Sequence, residues 1–297
     1  MSRRATTFIP EWDPDTIRPT DFIPFYGRRE SGKTNLMRYL LARHATGKKK
    51  DGRLWDVVNV ICPSPAFIKW AEVVPFSFVR GNYTHAITRE LIEPRRNEYV
   101  EKAAESNDPD LIPRLILCDD LSYARKLVRS DEVIQQEAAN GRHWRDGLWM
   151  SAQFPTHLPP DCRTAADKAF IMGEMGENQL ELLYREYGMR MGFKTFLAMY
   201  DECVKKRGDA MVIDRYAGKD SRTKIFHFNC GPSHTWPKEY QDFAAGSPQV
   251  WKWHFENKED DRKAWLKREL LGLQRNKQLT FKKDYPVFSI EKTRRGQ

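Results

Sequence analysis

The segment Gly27-Arg28-Arg29-Glu30-Ser31-Gly32-Lys33-Thr34 sets two glycines, a lysine and a hydroxyl at a defined spacing. Glycines at both ends let the backbone curl until successive N–H groups point at one anion. A helix that follows adds the partial positive charge of its N-terminus. Lysine beside the second glycine supplies a point charge for the outer phosphates of a nucleoside triphosphate, and the adjoining threonine hydroxyl takes one Mg²⁺ position. Gly27, Arg28, Arg29, Glu30, Ser31, Gly32, Lys33, Thr34 and Asn35 are therefore candidate nucleotide-binding residues, with Lys33 a candidate catalytic cation and Thr34 a candidate metal ligand. The pattern follows the apolar stretch 21–26 and precedes 35–44, where Leu36, Met37, Leu40 and Leu41 recur at a helical period. Pro24 is out of place in a central strand, since it has no donor for the ladder.

Residues 114–120 form a short apolar run that ends in two acids, Asp119 and Asp120. Triphosphate hydrolysis on a loop of this kind needs a second metal-holding group on a neighbouring strand tip. Asp119 suits that role, holding Mg²⁺ through water, and Asp120 is placed to polarise an attacking water. A small-molecule kinase passes its phosphoryl group to a hydroxyl and does not need the second acid, so the pair favours hydrolysis. Residues 147–153 predict the next strand, with Gln153 at its tip beside the acids, where an amide senses the γ-phosphate or orients water. Arg142 and Arg145 lie on the connection just before that strand. A guanidinium there can point out of its own subunit into a neighbour's nucleotide, and such arginines are worth roughly 10³–10⁵ in turnover. Either arginine fits.

The elements that would position these groups alternate. Strands are expected at 21–26, 55–62, 73–79, 114–120, 147–153 and 168–172, and helices at 35–44, 88–105, 121–144, 178–187 and 193–205. Segments 210–214 and 223–228 read as a closing hairpin. Short apolar strands alternating with helices predict an α/β fold with a mostly parallel sheet flanked by helices. Residues 1–20, with Pro10, Pro14 and Pro19, read as an irregular lead-in, 21–230 as the nucleotide-binding domain, and 231–297 as a loop-rich linker and basic C-terminal extension.

Composition narrows the class further. The chain has 297 residues and a formal charge of +9. Residues 258–297 hold 12 Lys/Arg against 6 Asp/Glu, about two-thirds of that excess. A basic tail suits an anionic partner such as nucleic acid, and equally a solvated surface. There, residues 261–275 read as a helix whose Trp265, Leu270 and Leu273 pack on the body, while Lys277, Lys282, Lys283, Arg294 and Arg295 are free to meet phosphates. No apolar run approaches the roughly 18 residues of a membrane span. No secretory signal is visible, and the five scattered cysteines favour a reducing compartment. The seven histidines form no ligand spacing with them.

Taken together, Gly27 through Thr34, the run Leu115-Ile116-Leu117-Cys118-Asp119-Asp120-Leu121, the element Asn140-Gly141-Arg142-His143 and the run from Ser151 through Gln153 to Pro159 resemble one family. It is the DNA-packaging ATPases of large double-stranded DNA viruses, the poxvirus-type branch of the FtsK–HerA superfamily of P-loop NTPases. The Gly-Arg-His element, followed by a strand, a glutamine and a proline-containing turn, is the more specific part. The resemblance covers about residues 20–230. It implies an ASCE/RecA-like sheet, ATP and Mg²⁺ as ligands, and a homo-oligomeric ring that moves double-stranded DNA into a preformed viral capsid at its portal vertex. It also implies an intracellular setting, the host-cell cytoplasm or virus factory, or the virion. By position it assigns phosphate and metal contacts to Lys33 and Thr34, the acidic pair to Asp119 and Asp120, the sensor to Gln153 and the arginine of Gly-Arg-His to Arg142. Many members end the acidic strand in Asp-Glu. Here the second acid is Asp120, as often in the viral branch, and its shorter side chain reaches water from further back. Two other readings stay open: a P-loop nucleotide or nucleoside kinase, and a non-catalytic ATP-binding protein associated with DNA or capsid.

Overall fold

Every residue of Phe22–Gly27 is buried, the pattern of a strand covered on both faces. This strand, β1, lies inside an eight-stranded sheet in a computed structural model that describes residues 8–45, 52–106, 109–188, 191–217, 224–258 and 261–275. In chain order the elements are β1, α1 (Lys33–Ala45), β2 (Val57–Ile61), α2 (Phe67–Trp70), β3 (Val79–Arg80), α3 (His85–Glu105), β4 (Arg114–Cys118), α4 (Arg125–Arg129), α5 (Glu132–Asn140), β5 (Asp146–Ala152), α6 (Pro160–Ala165), β6 (Lys168–Met172), α7 (Glu177–Tyr187), α8 (Phe193–Cys203), β7 (Asp209–Asp214), β8 (Ile225–Asn229), α9 (Lys238–Gln241), α10 (Pro248–Lys258) and α11 (Arg262–Arg275). The strand order is β3-β2-β4-β5-β1-β6-β7-β8. Pairing is parallel from β3 to β6, and β7 and β8 close the sheet antiparallel, as the expected hairpin.

Alternate side chains of the strands feed two cores, one on each face. Ile23, Phe25, Leu115, Leu117 and Trp149 pack with α1, α2 and α11, whereas Phe22, Tyr26, Ile116, Leu148 and Met150 pack with α5, α6, α7 and α8. Placing β5 between β1 and β4 is the feature that matters for the site. Tyr26 pairs with Ala152 and Cys118 with Met150, so the three parallel strands end within a few residues of one another and their loops share one edge. The fold is a mostly parallel α/β sheet flanked by helices, with one strand inserted between the loop strand and the acidic strand.

Pro24 finds its place through register. The ladder from β1 to β6 starts only at Phe25, and the Asp167 carbonyl near the start of β6 takes its hydrogen bond from Arg215 N–H. No donor is required of Pro24 on that side.

Three expectations are corrected. The strand expected at 73–79 shrinks to Val79–Arg80, because Pro75 opens a 3-10 turn, Phe76–Phe78. Buried Trp70, Val73 and Val74 serve the core from α2 and the turn after it. The long helix at 121–144 is broken at Ser130, where Asp131 caps α5 by accepting from Val133 N and Ile134 N. Tyr83 and Thr88 hydroxyls bond the same carboxylate, so the break is pinned from α3 and its approach. Finally, α3 starts three residues early, at His85, with Thr84 as its cap.

The segment after β8 is built into the body. Phe243, Ala245, Trp265 and Leu273 are buried in the core that α1 shares, and Trp236 is buried against Tyr39 of α1. The helix read at 261–275 packs Trp265 and Leu273 as expected, with Leu270 partly buried beside them. Trp265 Nε1 donates to Val79 O at 2.9 Å and Gly81 N to Glu269 Oε2 at 3.0 Å, so α11 occupies the open edge of β3. At the other edge Trp12 N and Pro10 O exchange bonds with His227 of β8. Both edges are thus covered, which blocks pairing with another chain. Lys277, Lys282, Lys283, Arg294 and Arg295 lie outside the described residues, as does most of the turn expected at 47–52. Trp265→Ala removes a ring packed edge-on to Phe67 and tilted against Phe76. Chemical denaturation should show a loss of about 3–5 kcal/mol.

Candidate nucleotide site

Between β1 and α1 the loop alternates its backbone. Glu30 has φ 65° and Gly32 φ 104°. Such alternation turns successive N–H groups to one side and makes an anion nest. Gly27 is required by close approach, since a Cβ there would stand 2.6 Å from Met172 O and from Ser31 Oγ. Two glycines beyond the motif hold the outer wall. A Cβ on Gly173 would meet Ser31 Cβ at 2.7 Å, and Gly208 N donates to Ser31 O at 3.2 Å. Ser31 Oγ is buried without a hydrogen-bond partner.

Lys33 folds back over this loop. Its Nζ donates to Gly27 O at 2.6 Å and Arg28 O at 3.0 Å. Burial lowers its pKa, and Asp119 and Asp120 pull the other way. Thr34 Oγ1 donates to Asp119 Oδ2 at 2.9 Å. The same oxygen accepts from Trp70 Nε1 at 3.0 Å, while Oδ1 accepts from Ser151 Oγ at 2.7 Å and Asp120 N at 2.9 Å. Asp120 turns the chain off β4 with φ 51°. Its own carboxyl is raised by burial and by Asp119, against Ser64, Lys33 and Arg29. The donor set suits Mg²⁺: a hydroxyl and one carboxylate, both hard oxygens, leave the remaining octahedral positions to water and phosphate.

Gln153 follows the last residue of β5, half-buried, between the loop strand and the acidic strand. It lies two residues past Ser151, just beyond the end of β5. A cleft of about 670 Å³ opens from Lys33, Thr34 and Asn35 toward Arg38, Lys69, Arg207, His234 and Trp236. That volume accommodates a nucleotide, and the three added cations suit its phosphates. Asn35, expected at the nucleotide, lines the cleft but donates its Nδ2 to Gly231 O at 3.2 Å.

The structure therefore brings Lys33, Thr34, Asp119, Asp120 and Gln153 to one edge of the sheet, and it does not bring Arg142 there. Arg142 is exposed on the 3-10 turn Gly141–Trp144, ahead of β5. With β5 parallel to β1, it lies a full seven-residue strand away from its own loop. At 3.3 Å per residue that is about 20 Å, beyond a side chain's reach. Among the described residues Arg142 has no side-chain hydrogen bond or ion pair, whereas Arg145 stands 3.7 Å from Asp110 and bonds Leu111 O. Gly141 is needed where it is: a Cβ would meet Glu137 Oε1 at 2.9 Å. Glu137 is buried against Asp146, and burial with that neighbour pushes its carboxyl well above the usual range despite Arg114 and Arg96.

Trp70, Ser64, Arg38, Lys69 and Arg207 were not legible as site residues, since nothing in their local sequence marks them. Ser151 had a signal, the two-residue step from Gln153.

No family model matches the chain. It is 30% identical over 177 residues to Uncharacterized protein 075L of Invertebrate iridescent virus 6, an alignment that covers 59% of this chain and 64% of the relative. The chain thus spans just under two-thirds of that relative's length. Among solved structures it is similar to the genome packaging NTPase B204 of Sulfolobus turreted icosahedral virus 2 bound to ATP-gammaS, at 13% identity and TM-score 0.44, over 72% of this chain and 98% of that one. It is also similar to EssC (ATPases 2 and 3) from Geobacillus thermodenitrificans, at 12% identity and TM-score 0.47, over 87% and 44%.

Two outcomes are expected. Trp70→Phe keeps the ring in the core but removes one donor that orients Asp119. The Mg²⁺ concentration for half-maximal nucleotide hydrolysis should rise about tenfold, the low end for such supporting bonds. Glu137→Gln should stabilise the protein at neutral pH. Burial and Asp146 favour the protonated carboxyl in the folded state, whereas the unfolded chain titrates near the ordinary value of about 4.3, so native stability is lost as pH rises above it. Melting temperatures across pH should show a gain for the variant at pH 8 that vanishes near pH 4.

Proposed function

We propose that this chain is an ATP hydrolase that works as a homo-oligomeric ring and translocates double-stranded viral DNA into a capsid. The observation that carries the hydrolase reading is the meeting of Thr34 hydroxyl and Asp119 carboxylate at 2.9 Å at the mouth of a nucleotide-sized cleft, with Asp120 beside them. The Gly-Arg-His element supports the packaging reading, and the iridescent-virus relative supports a viral setting.

In this reading the nest from Gly27 to Gly32 binds the β-phosphate, and Lys33 leaves its two carbonyl partners to meet the γ-phosphate. Thr34 and Asp119 would hold Mg²⁺, which would supply neutralisation of the charge that develops on the phosphate oxygens. Asp120 orients the attacking water and accepts its proton. Gln153 reads whether the γ-phosphate is present. Arg142, too far from its own loop, enters the nucleotide site of the adjoining subunit and stabilises the leaving charge. A site shared in this way makes a ring the working unit.

Lys33→Ala should abolish hydrolysis; wild-type turnover in that variant would sink the assignment. Long duplex DNA should stimulate ATP hydrolysis, and the stimulation should fade as salt rises, because phosphate contacts release counterions. A kinase would instead transfer phosphate to a small acceptor with no response to DNA, and a structural ATP ligand would bind with negligible turnover. Arg142→Ala mixed with Lys33→Ala should recover part of the lost activity, since mixed interfaces pair an intact loop with an intact arginine. No recovery at any ratio would assign the role to a residue acting within its own subunit.

A further inference from the structure

Most arginines on this surface face a carboxylate, as in Arg18–Asp21, Arg43–Asp15, Arg80–Glu90 and Arg185–Glu181. The segment that leaves the acidic pair departs from that rule. From Asp120 the chain passes through a 3-10 turn, Leu121–Ala124, into α4. Leu121, Ala124 and Val128 are buried in the core, which fixes the segment's inner side. Its outer side presents Tyr123, 55% exposed, with Arg125, Lys126 and Arg129. Among the described residues none of these three cations has an ion pair. The nearest acid in sequence, Asp131, is buried and bonded by Tyr83 and Thr88, which leaves Glu132 as the exposed acid of this stretch.

The inner neighbour of the cations is no acid either. The 3-10 turn Pro155–His157 that follows Gln153 packs on α4. Its His157 is nearly buried and kept below its ordinary pKa by burial and then by Arg125 and Arg129. Two guanidinium groups thus lie near an imidazole whose charged form they disfavour, and they have no acid facing them from that turn. Arg125 and Arg129, four residues apart, stack on one helix face about 5–6 Å apart at Cβ.

We infer that Tyr123, Arg125, Lys126 and Arg129 seat the phosphate backbone of duplex DNA, and that this surface of the ATPase body is the contact through which the motor grips its track. The inference rests on the DNA-translocation reading. A polyanion with one charge per 1.7 Å of axis matches a compact set of unpaired cations, and phosphate contacts are indifferent to base sequence. Position adds a second reason. The surface begins at Asp120 and leans on the turn behind Gln153, so a strand of DNA pressing on it bears on the two loops that meet the γ-phosphate. The basic tail beyond Arg275 is the competing location for this contact.

The test uses the full chain and a duplex of mixed sequence. In Arg125→Ala/Lys126→Ala/Arg129→Ala, the slope of log affinity against log salt should fall by about 2–3, near 0.9 for each DNA phosphate that the variant no longer neutralises. DNA stimulation of ATP hydrolysis should disappear with basal turnover intact, which also reports folding. Arg125→Lys/Arg129→Lys should restore most of the slope. A tail variant, Lys282→Ala/Lys283→Ala/Arg294→Ala/Arg295→Ala, should keep it. A triple variant with wild-type slope and stimulation, beside a tail variant that loses both, overturns the inference and leaves the motor reading standing. Wild-type protein that binds no duplex at low salt overturns both. Intact duplex binding with lost binding of polyglutamate gives the surface to an acidic protein partner and also overturns it.

Discussion

A buried carboxylate must have its oxygens bonded, or the charge is not tolerated. Asp119, 1% exposed, meets that demand with four donors from four places: Thr34 at the start of α1, Trp70 at the end of α2, Ser151 near the tip of β5, and the N–H of Asp120. Each donor satisfies the acid, and the acid in turn fixes each element. α1 carries the phosphate loop, β5 carries Gln153, and the Asp120 N–H forces the chain to turn sharply off β4. Ser151 Oγ also accepts from Asp120 N at 2.8 Å, closing a small cycle of three groups. The geometry of the nucleotide site is therefore set before any nucleotide arrives. A bound nucleotide and metal would compete with the Thr34 bond and the two hydrogen bonds from Lys33 to carbonyls.

That network also separates what the chain's order of residues reveals from what it hides. The loop, the acidic pair and Gln153 are legible because their chemistry depends on neighbours in sequence: glycines around a lysine, acids at the end of an apolar run, an amide at a strand tip. β1, β2, β4, β5 and β6 are legible for a related reason, since buried parallel strands are short apolar runs bounded by turns. Trp70 stays hidden because its bond to Asp119 spans 49 residues and its local context is an ordinary turn of helix. The expected strand at 73–79 fails for the opposite reason. Val73, Val74, Phe76 and Phe78 have the right types, but Pro75 and a 3-10 turn let them reach the core without a ladder. The break between α4 and α5 is a third case, where a single cap residue, Asp131, outweighs a long amphipathic pattern.

The segment after β8 shows how charge and burial can mislead together. Its basic composition draws attention to its surface, yet Trp236, Trp265 and Leu273 are buried and α11 covers the edge of β3. Trp236 and His234 also wall the cleft opposite the phosphate loop. Removing residues from about 257 onward would uncover a sheet edge and the hydrophobic core under Trp265, so reduced DNA affinity in such a truncation would not isolate a tail interaction. Substitutions beyond Arg275 leave α11 in place and address the tail alone.

β5 acts as a rod. Its seven residues are all buried, with Asp146–Met150 paired to β4 and Leu148–Ala152 paired to β1. A strand so held does not stretch, because interiors are close-packed and resist compression. Gln153 lies past one end and Arg142 before the other. Beneath Arg142, the Glu137–Asp146 pair and the close approach at Gly141 seat the turn firmly on the body. In the proposed ring, one end of this rod faces the subunit's own γ-phosphate and the other faces the neighbour's. Under that proposal, a displacement at Gln153 on loss of phosphate would be passed along the close-packed strand toward the turn bearing Arg142, rather than taken up within it.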